Sequence, residues 1–288
     1  MHVPVMPEEV LEALKIRENG IYVDATVGTG GHAAYILRRA GRCTLIGIDR
    51  DEKAIEAARE RLKEFGNVHL VRGNFSDMRD IVSNLGYAAV SGILLDIGVS
   101  ALHLKSEGRG FSFLRDEPLD MRMDQGQGLT AREVVNTYSE KELADIIYRY
   151  GEERHSRKIA RAIVNARRRR PVESCKELAD IISRAVGRRG RIHPATRTFQ
   201  AIRIEVNREL EELTAAIEEG ASLLEKGGRL CVLSYHSLED RIVKNAFKKL
   251  AKEGRFMIVT RKPVVPGQAE QRANPSSRSA KMRVGERI

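Results

Sequence analysis

Short apolar runs alternate with helical stripes along the first hundred residues. Ile21-Tyr-Val-Asp24, Thr44-Leu-Ile-Gly-Ile-Asp49, Val68-His-Leu-Val71 and Ser91-Gly-Ile-Leu-Leu-Asp96 are of strand length and nearly continuously apolar, as strands buried on both faces are. Between them the period lengthens. A helix opens near His32, and from Asp51 to Leu62 the residues Ile55, Ala58 and Leu62 fall on one helical face. Strands separated by helices predict a parallel sheet whose ligand crevice lies at the carboxyl ends of the strands. Asp24, Asp49, Phe75 and Asp96 all fall on that edge.

Residues 105–206 interrupt this alternation. Thr130-Ala-Arg-Glu133, Ser139-Glu-Lys-Glu142 and Ser174-Cys-Lys-Glu177 have the capping-box pattern and mark three helix starts. Leu143, Ile146, Ile147 and Tyr150 form one stripe, Ile159, Ile163 and Ala166 a second, and Leu178, Ile181 and Ile182 a third. The helix from Glu209 to Leu224 and the strand Gly228–Ser234 then resume the earlier pattern. The expected architecture is α/β, with a mostly parallel sheet built from residues 1–104 and 207–288 and an all-helical domain, 105–206, inserted into it.

Charge gives the insert a role. The 288 residues carry a net charge of +10, and residues 105–206 hold 22 Lys and Arg against 15 Asp and Glu, so +7 of it sits in about a third of the length. Arg154, Arg157, Lys158 and Arg161 precede the run Arg167-Arg-Arg-Arg170, and further basic stretches span Arg184–Arg191 and Arg272–Arg287. Such clusters fit a polyanion and imply a nucleic acid without saying which one. Cys43, Cys175 and Cys231 are too few and too scattered for a disulfide framework or a zinc site, so no metal is expected. No apolar stretch is long enough to span a bilayer, and the first residues lack a signal core, which predicts a cytoplasmic protein.

Candidate chemistry begins at residue 24. Asp24-Ala-Thr-Val-Gly-Thr-Gly30 ends the first strand on an acid and enters a glycine turn ahead of a helix, the arrangement that presents backbone N–H groups to a nucleotide-like cofactor. Gly28, Gly30 and Ala33 also satisfy the dinucleotide fingerprint, but a dinucleotide strand abuts its first glycine, whereas three residues separate Asp24 from Gly28. This counts against a nicotinamide-dependent oxidoreductase. The order D-x-T-x-G-x-G resembles motif I of the S-adenosylmethionine-dependent methyltransferases, with Thr26 in place of the first glycine. Asp49, at the tip of the second strand, is placed to accept both hydroxyls of a ribose.

Longer runs carry a closer resemblance. Asp96-Ile-Gly-Val-Ser100, Arg109-Gly-Phe-Ser-Phe113, Pro118-Leu-Asp-Met-Arg-Met-Asp124, Tyr150-Gly-Glu-Glu-Arg154, His193–Ile204 and Ser234-Tyr-His-Ser-Leu-Glu-Asp-Arg241 are similar to those of the bacterial 16S rRNA cytosine-N4 methyltransferase family, over nearly the whole chain. The resemblance implies a Rossmann-like class I methyltransferase domain with an inserted helical domain. It implies S-adenosylmethionine as donor and a cytidine amine in the decoding region of 16S rRNA as acceptor, met within a small ribosomal subunit or an assembly intermediate. The implied cofactor contacts are Gly28, Gly30, Gly31, His32, Asp49, Phe75, Asp96 and His103. His103 departs from the family pattern, which often carries Gln there after a Ser-Ser-Pro run.

Amino-methyltransferases commonly place an Asp/Asn/Ser-Pro-Pro-Tyr/Phe turn after the fourth strand. Here Asp96-Ile-Gly-Val-Ser100 occupies that place without prolines or aromatic, so the aromatic comes from elsewhere; Phe111, Phe113, Tyr235 and His236 are candidates to stack on the target base. Asp96, Ser234 and Tyr235, at the ends of the fourth and fifth strands, are the candidate catalytic residues. A ribosome-assembly factor with secondary methylation is the rival from another functional class.

Overall fold

The computed structural model describes residues 4–98, 108–187 and 192–288. Two compact units divide the chain, one of residues 1–99 with 210–288 and the other of residues 100–209.

The first unit is built on a seven-stranded sheet. Its strands are β1 (Ile21–Asp24), β2 (Thr44–Asp49), β3 (Val68–Arg72), β4 (Val90–Asp96), β5 (Leu224–Ser234), β6 (Phe256–Ile258) and β7 (Lys281–Arg287), in the order β3-β2-β1-β4-β5-β7-β6. The first five run parallel, and β7 enters antiparallel between β5 and β6. Strand order reverses between β1 and β4, and such a switch point opens a crevice at the carboxyl edge.

Alternate side chains of each strand leave by opposite faces. Tyr22, Leu45, Leu94, Cys231 and Leu233 join one core with α1 (Pro7–Leu14), α2 (Gly31–Ala40) and α3 (Glu52–Leu62). Val23, Ile46, Ile48, Ile93, Leu95, Leu230 and Val232 join the other, against α4 (Met78–Asn84) and two later helices, Glu209–Leu223 and Ser237–Lys252. Both faces are thus covered, which explains why these strands read as continuous apolar runs. The strand expected from Gly228 begins earlier, at Leu224.

The second unit is helical: α5 (Ala131–Thr137), α6 (Glu140–Gly151), α7 (Ser156–Arg167), α8 (Cys175–Val186) and α9 (Thr196–Asn207). Thr130 with Glu133, and Ser139 with Glu142, close reciprocal capping boxes. Ser174 accepts from the Glu177 N–H at 3.2 Å, but the Glu177 carboxylate turns to the Glu173 N–H at 3.1 Å, so this third cap is one-sided. Leu143, Ile147, Ile159, Ile163, Leu178 and Ile182 interlock in a separate apolar core. We number the two remaining long helices α10 (Glu209–Leu223) and α11 (Ser237–Lys252), and a short one α12 (Gln268–Ala273).

Candidate active site at the carboxyl edge of the sheet

β1 ends on Asp24, which is almost wholly buried, and the chain then turns through Thr26, Gly28 and Gly30 into α2. Gly30 is the left-handed N-cap of α2, with φ 76°. A Cβ there would lie 3.2 Å from Leu62, so this glycine lets the turn pack on α3; around Gly28 a Cβ would meet only the Thr26 carbonyl, at 3.8 Å. The open approach expected of the glycine turn is therefore at Gly28. Beyond the turn, the first N–H groups of α2, beginning at Gly31, lack intrahelical acceptors.

Asp49 closes β2 beside this turn. One carboxylate oxygen accepts the Gly28 N–H and the other the Asp51 N–H, each at 2.9 Å, so the backbone fixes the carboxylate's orientation. Phe75 opens a 3-10 turn (Phe75–Asp77) directly after β3 and packs against the core shared with α4. Asp96 ends β4. Its N–H donates to Thr26 Oγ1 at 2.7 Å, which gives the threonine in the D-x-T-x-G-x-G run a task that glycine cannot perform: it stitches the β1 turn to the tip of β4.

Two further groups meet Asp96. Tyr235 Oη donates to Oδ1 at 2.7 Å, and His32 Nε2 lies 3.4 Å from Oδ2. His32 is buried, and neither ring nitrogen has a hydrogen-bond partner among the described residues, so the contact with Asp96 is close without being aligned. Burial raises the carboxyl of Asp24 to about 7, with His32 opposing the rise and Asp96 adding to it. Burial first, and then the charge and hydrogen bond of Asp96, hold the Tyr235 phenol well above its ordinary value, so it remains a donor.

Ser234 is buried at the end of β5, and its hydroxyl donates to the Lys281 carbonyl of β7 at 3.3 Å, tying the side chain into the sheet. Glu239 carries no expectation from the sequence, yet it is completely buried and accepts the N–H groups of Tyr235, at 2.7 Å, and His236, at 3.2 Å. Its signal was present, since α11 begins with the reciprocal capping pattern, here with His236 as the cap. The structure therefore brings Gly28, Gly30, Gly31, His32, Asp49, Asp96 and Tyr235 to one edge of one unit. His103 lies outside the described residues, as do Arg188–Arg191.

Phe111 and Phe113 belong to the second unit. Phe113 stacks on His193 at 4.5 Å and meets Phe199 edge-on at 5.1 Å, and both phenylalanines pack on the helical core. The three thiols are all buried. Burial pushes the Cys175 thiol up to about 12 and raises those of Cys43 and Cys231. Arg167, first of the four consecutive arginines, is half-buried and donates to the carbonyls of Val135, at 2.6 Å, and Tyr138. Arg170 pairs with Glu177 at 2.8 Å, whereas Arg168 and Arg169 are exposed.

A solved structure from Clostridium thermocellum, described as a candidate rRNA-methylase, covers the whole chain with a TM-score of 0.50 at 13% identity, a likeness of fold. Among described residues no helix is long and apolar enough to cross a membrane. The ribosomal RNA small subunit methyltransferase H of Persephonella marina is 52% identical over 291 residues, covering 100% of this chain and 99% of the relative. That of Coprothermobacter proteolyticus is 51% identical over 283 residues, covering 98% and 95%. The model of the MraW methylase family matches residues 1–288. With its Rossmann-like sheet and this likeness along its full length, the chain belongs to the MraW methylase family and is a methyltransferase.

Proposed function

We propose that the chain methylates the N4 amine of a cytidine in the decoding region of 16S rRNA, with S-adenosylmethionine as donor. The cofactor supplies a methyl group bound to a sulfonium, and the residues of the strand edge suit it. Asp49 offers its carboxylate to the ribose, Gly28, Gly30 and Gly31 bring backbone close, and Phe75 lies at the tip of the neighbouring strand. The buried His32 nitrogens, lacking partners among the described residues, are the observation that fits a polar ligand here. His103 joins this group by resemblance.

The amine of cytosine is a weak nucleophile because its lone pair is delocalised into the ring. Positioning therefore provides much of the catalysis. Asp96 carries this reading: it stands at the switch point, its side chain is 24% exposed, and we assign it to accept an N–H of the amine, with Ser234 and Tyr235 closing the end of β5 beside it. A ring-carbon methylation would instead need a nucleophilic cysteine, and buried thiols with raised proton affinity are poor nucleophiles. The basic helical unit is the part we assign to rRNA phosphates, in the small subunit or its assembly intermediate, in the cytoplasm.

The test is methyl transfer to small subunits purified from cells lacking this protein, followed by mass spectrometry of the nucleosides. 4-Methylcytidine is the expected product. 5-Methylcytidine, or no transfer to the subunit, overturns the proposal.

A further inference from the structure

Tyr235 is hydrogen-bonded to Asp96, and its setting is specific. The Oη–Oδ1 distance is 2.7 Å, and the ring lies so close to Gly98 that a Cβ on that glycine would be 3.0 Å from Cδ2 and 3.2 Å from Cε2. The buried carboxylate of Glu239 fixes the tyrosine from behind by accepting its backbone N–H at 2.7 Å. Ring, hydroxyl and backbone are thus each held by a different segment.

We propose that Tyr235 is a positioning residue for Asp96: its hydroxyl engages Oδ1 and fixes the carboxylate plane, so that the carboxylate is presented to the amine of the target base. This rests on the reading that Asp96 meets that amine. An unrestrained Asp side chain rotates about χ2, a broad torsion, and spreads its oxygens over many directions. A tyrosine donor removes that freedom. Charge-assisted hydrogen bonds of this length are the stronger kind. Because the phenol holds its proton and donates it to Oδ1, Tyr235 is not the base that takes the proton released from the amine. The charged and titratable groups around the pair are His32 from α2, Asp24 from β1 and Cys231 from β5 about Asp96, and Glu239 and Glu270 about Tyr235.

The experiment compares Tyr235→Phe, Gly98→Ala and Asp96→Asn in the full-length protein. Tyr235→Phe keeps the ring and removes the donor. It should bind S-adenosylhomocysteine with parental affinity by calorimetry and keep KM for the RNA, while kcat falls about 10- to 100-fold, the scale of a small misplacement at a reacting centre. Gly98→Ala pushes the ring from its seat by another route and should lower kcat in the same way, which keeps the proposal testable should the phenylalanine variant fold poorly. Combined with Asp96→Asn, Tyr235→Phe should cost nothing further. A Tyr235→Phe enzyme with parental kcat, or additive losses in the double variant, overturns the proposal. Full activity in Asp96→Asn removes the underlying reading instead, so the two failures are distinguishable.

Discussion

Both units bury charged and polar side chains, but what surrounds those groups differs. In the helical unit, Arg109 donates to the carbonyls of Arg122 and Met123, Glu117 accepts the Gly110 N–H, and Asn207 bridges Met121, Met123 and Arg203. These bonds to backbone hold loops in place. At the strand edge of the other unit, three carboxylates end adjacent parallel strands and a buried histidine lies among them without an aligned partner among the described residues. Burial of a polar group is thus no functional signal by itself. The signal is a cluster of like charges that folding alone disfavours.

The largest expected effect separates Asp24 from such framework acids. Its carboxyl is raised to about 7, so the native state holds this proton more tightly than the unfolded chain does. The stability this group contributes is therefore full below about pH 4 and is lost as pH rises towards 7. Asp24→Asn should exceed the parent in stability at pH 8 by roughly 2–4 kcal/mol, with the gap closing towards pH 4, as read by chemical denaturation. A gap independent of pH would overturn this reading of Asp24.

Asp49 sharpens the comparison next. On the ribose role proposed for Asp49, Asp49→Ala should weaken S-adenosylmethionine binding by about 10- to 100-fold, the range for hydrogen bonds to a charged group, in a protein that still folds. Calorimetry that finds unchanged affinity in a folded variant makes Asp49 a support for the Gly28 turn alone.

Within the helical unit, the arginine run divides in two. Replacing Arg168 and Arg169 by Ala should lower the slope of log affinity for RNA against log salt by about 1.4–1.8 without loss of stability. Arg167→Ala should do the reverse, costing about 1–3 kcal/mol of stability by stranding the carbonyls of Val135 and Tyr138 while leaving the slope unchanged. Equal slopes in all variants would reduce the run to a solvated face. The smallest effect is expected at the thiols: a chain with Cys43, Cys175 and Cys231 replaced by Ala should retain its methylation rate, and an inactive but folded variant would reopen ring-carbon transfer.

What the sequence could tell followed its periodicities. The four strand tips, the helix starts at Thr130 and Ser139 and the charge of the insert are local patterns, and they were legible. Thr26 was visible only as a departure from glycine, because its partner, the Asp96 N–H, is 70 residues away. Glu239 stands third in α11, and its burial beneath Tyr235 depends on packing that no spacing encodes. Arg167 looked like its three neighbours until the turn of α7 aimed it at Val135.

The register of β4 has a consequence in time. Val90 pairs with Leu224 and Asp96 with Leu233, so the two strands that carry Asp96 and Ser234 are made more than a hundred residues apart. At roughly 5–20 residues per second, a ribosome synthesising this chain delivers β5 some 7–27 s after β4. Throughout that interval the newly made β4 carries an unpaired edge of the kind that recruits foreign strands. The helices of residues 131–207 make nearer contacts and can condense while the edge waits, and the strand tips that carry Asp96 and Ser234 come together only once β5 has emerged.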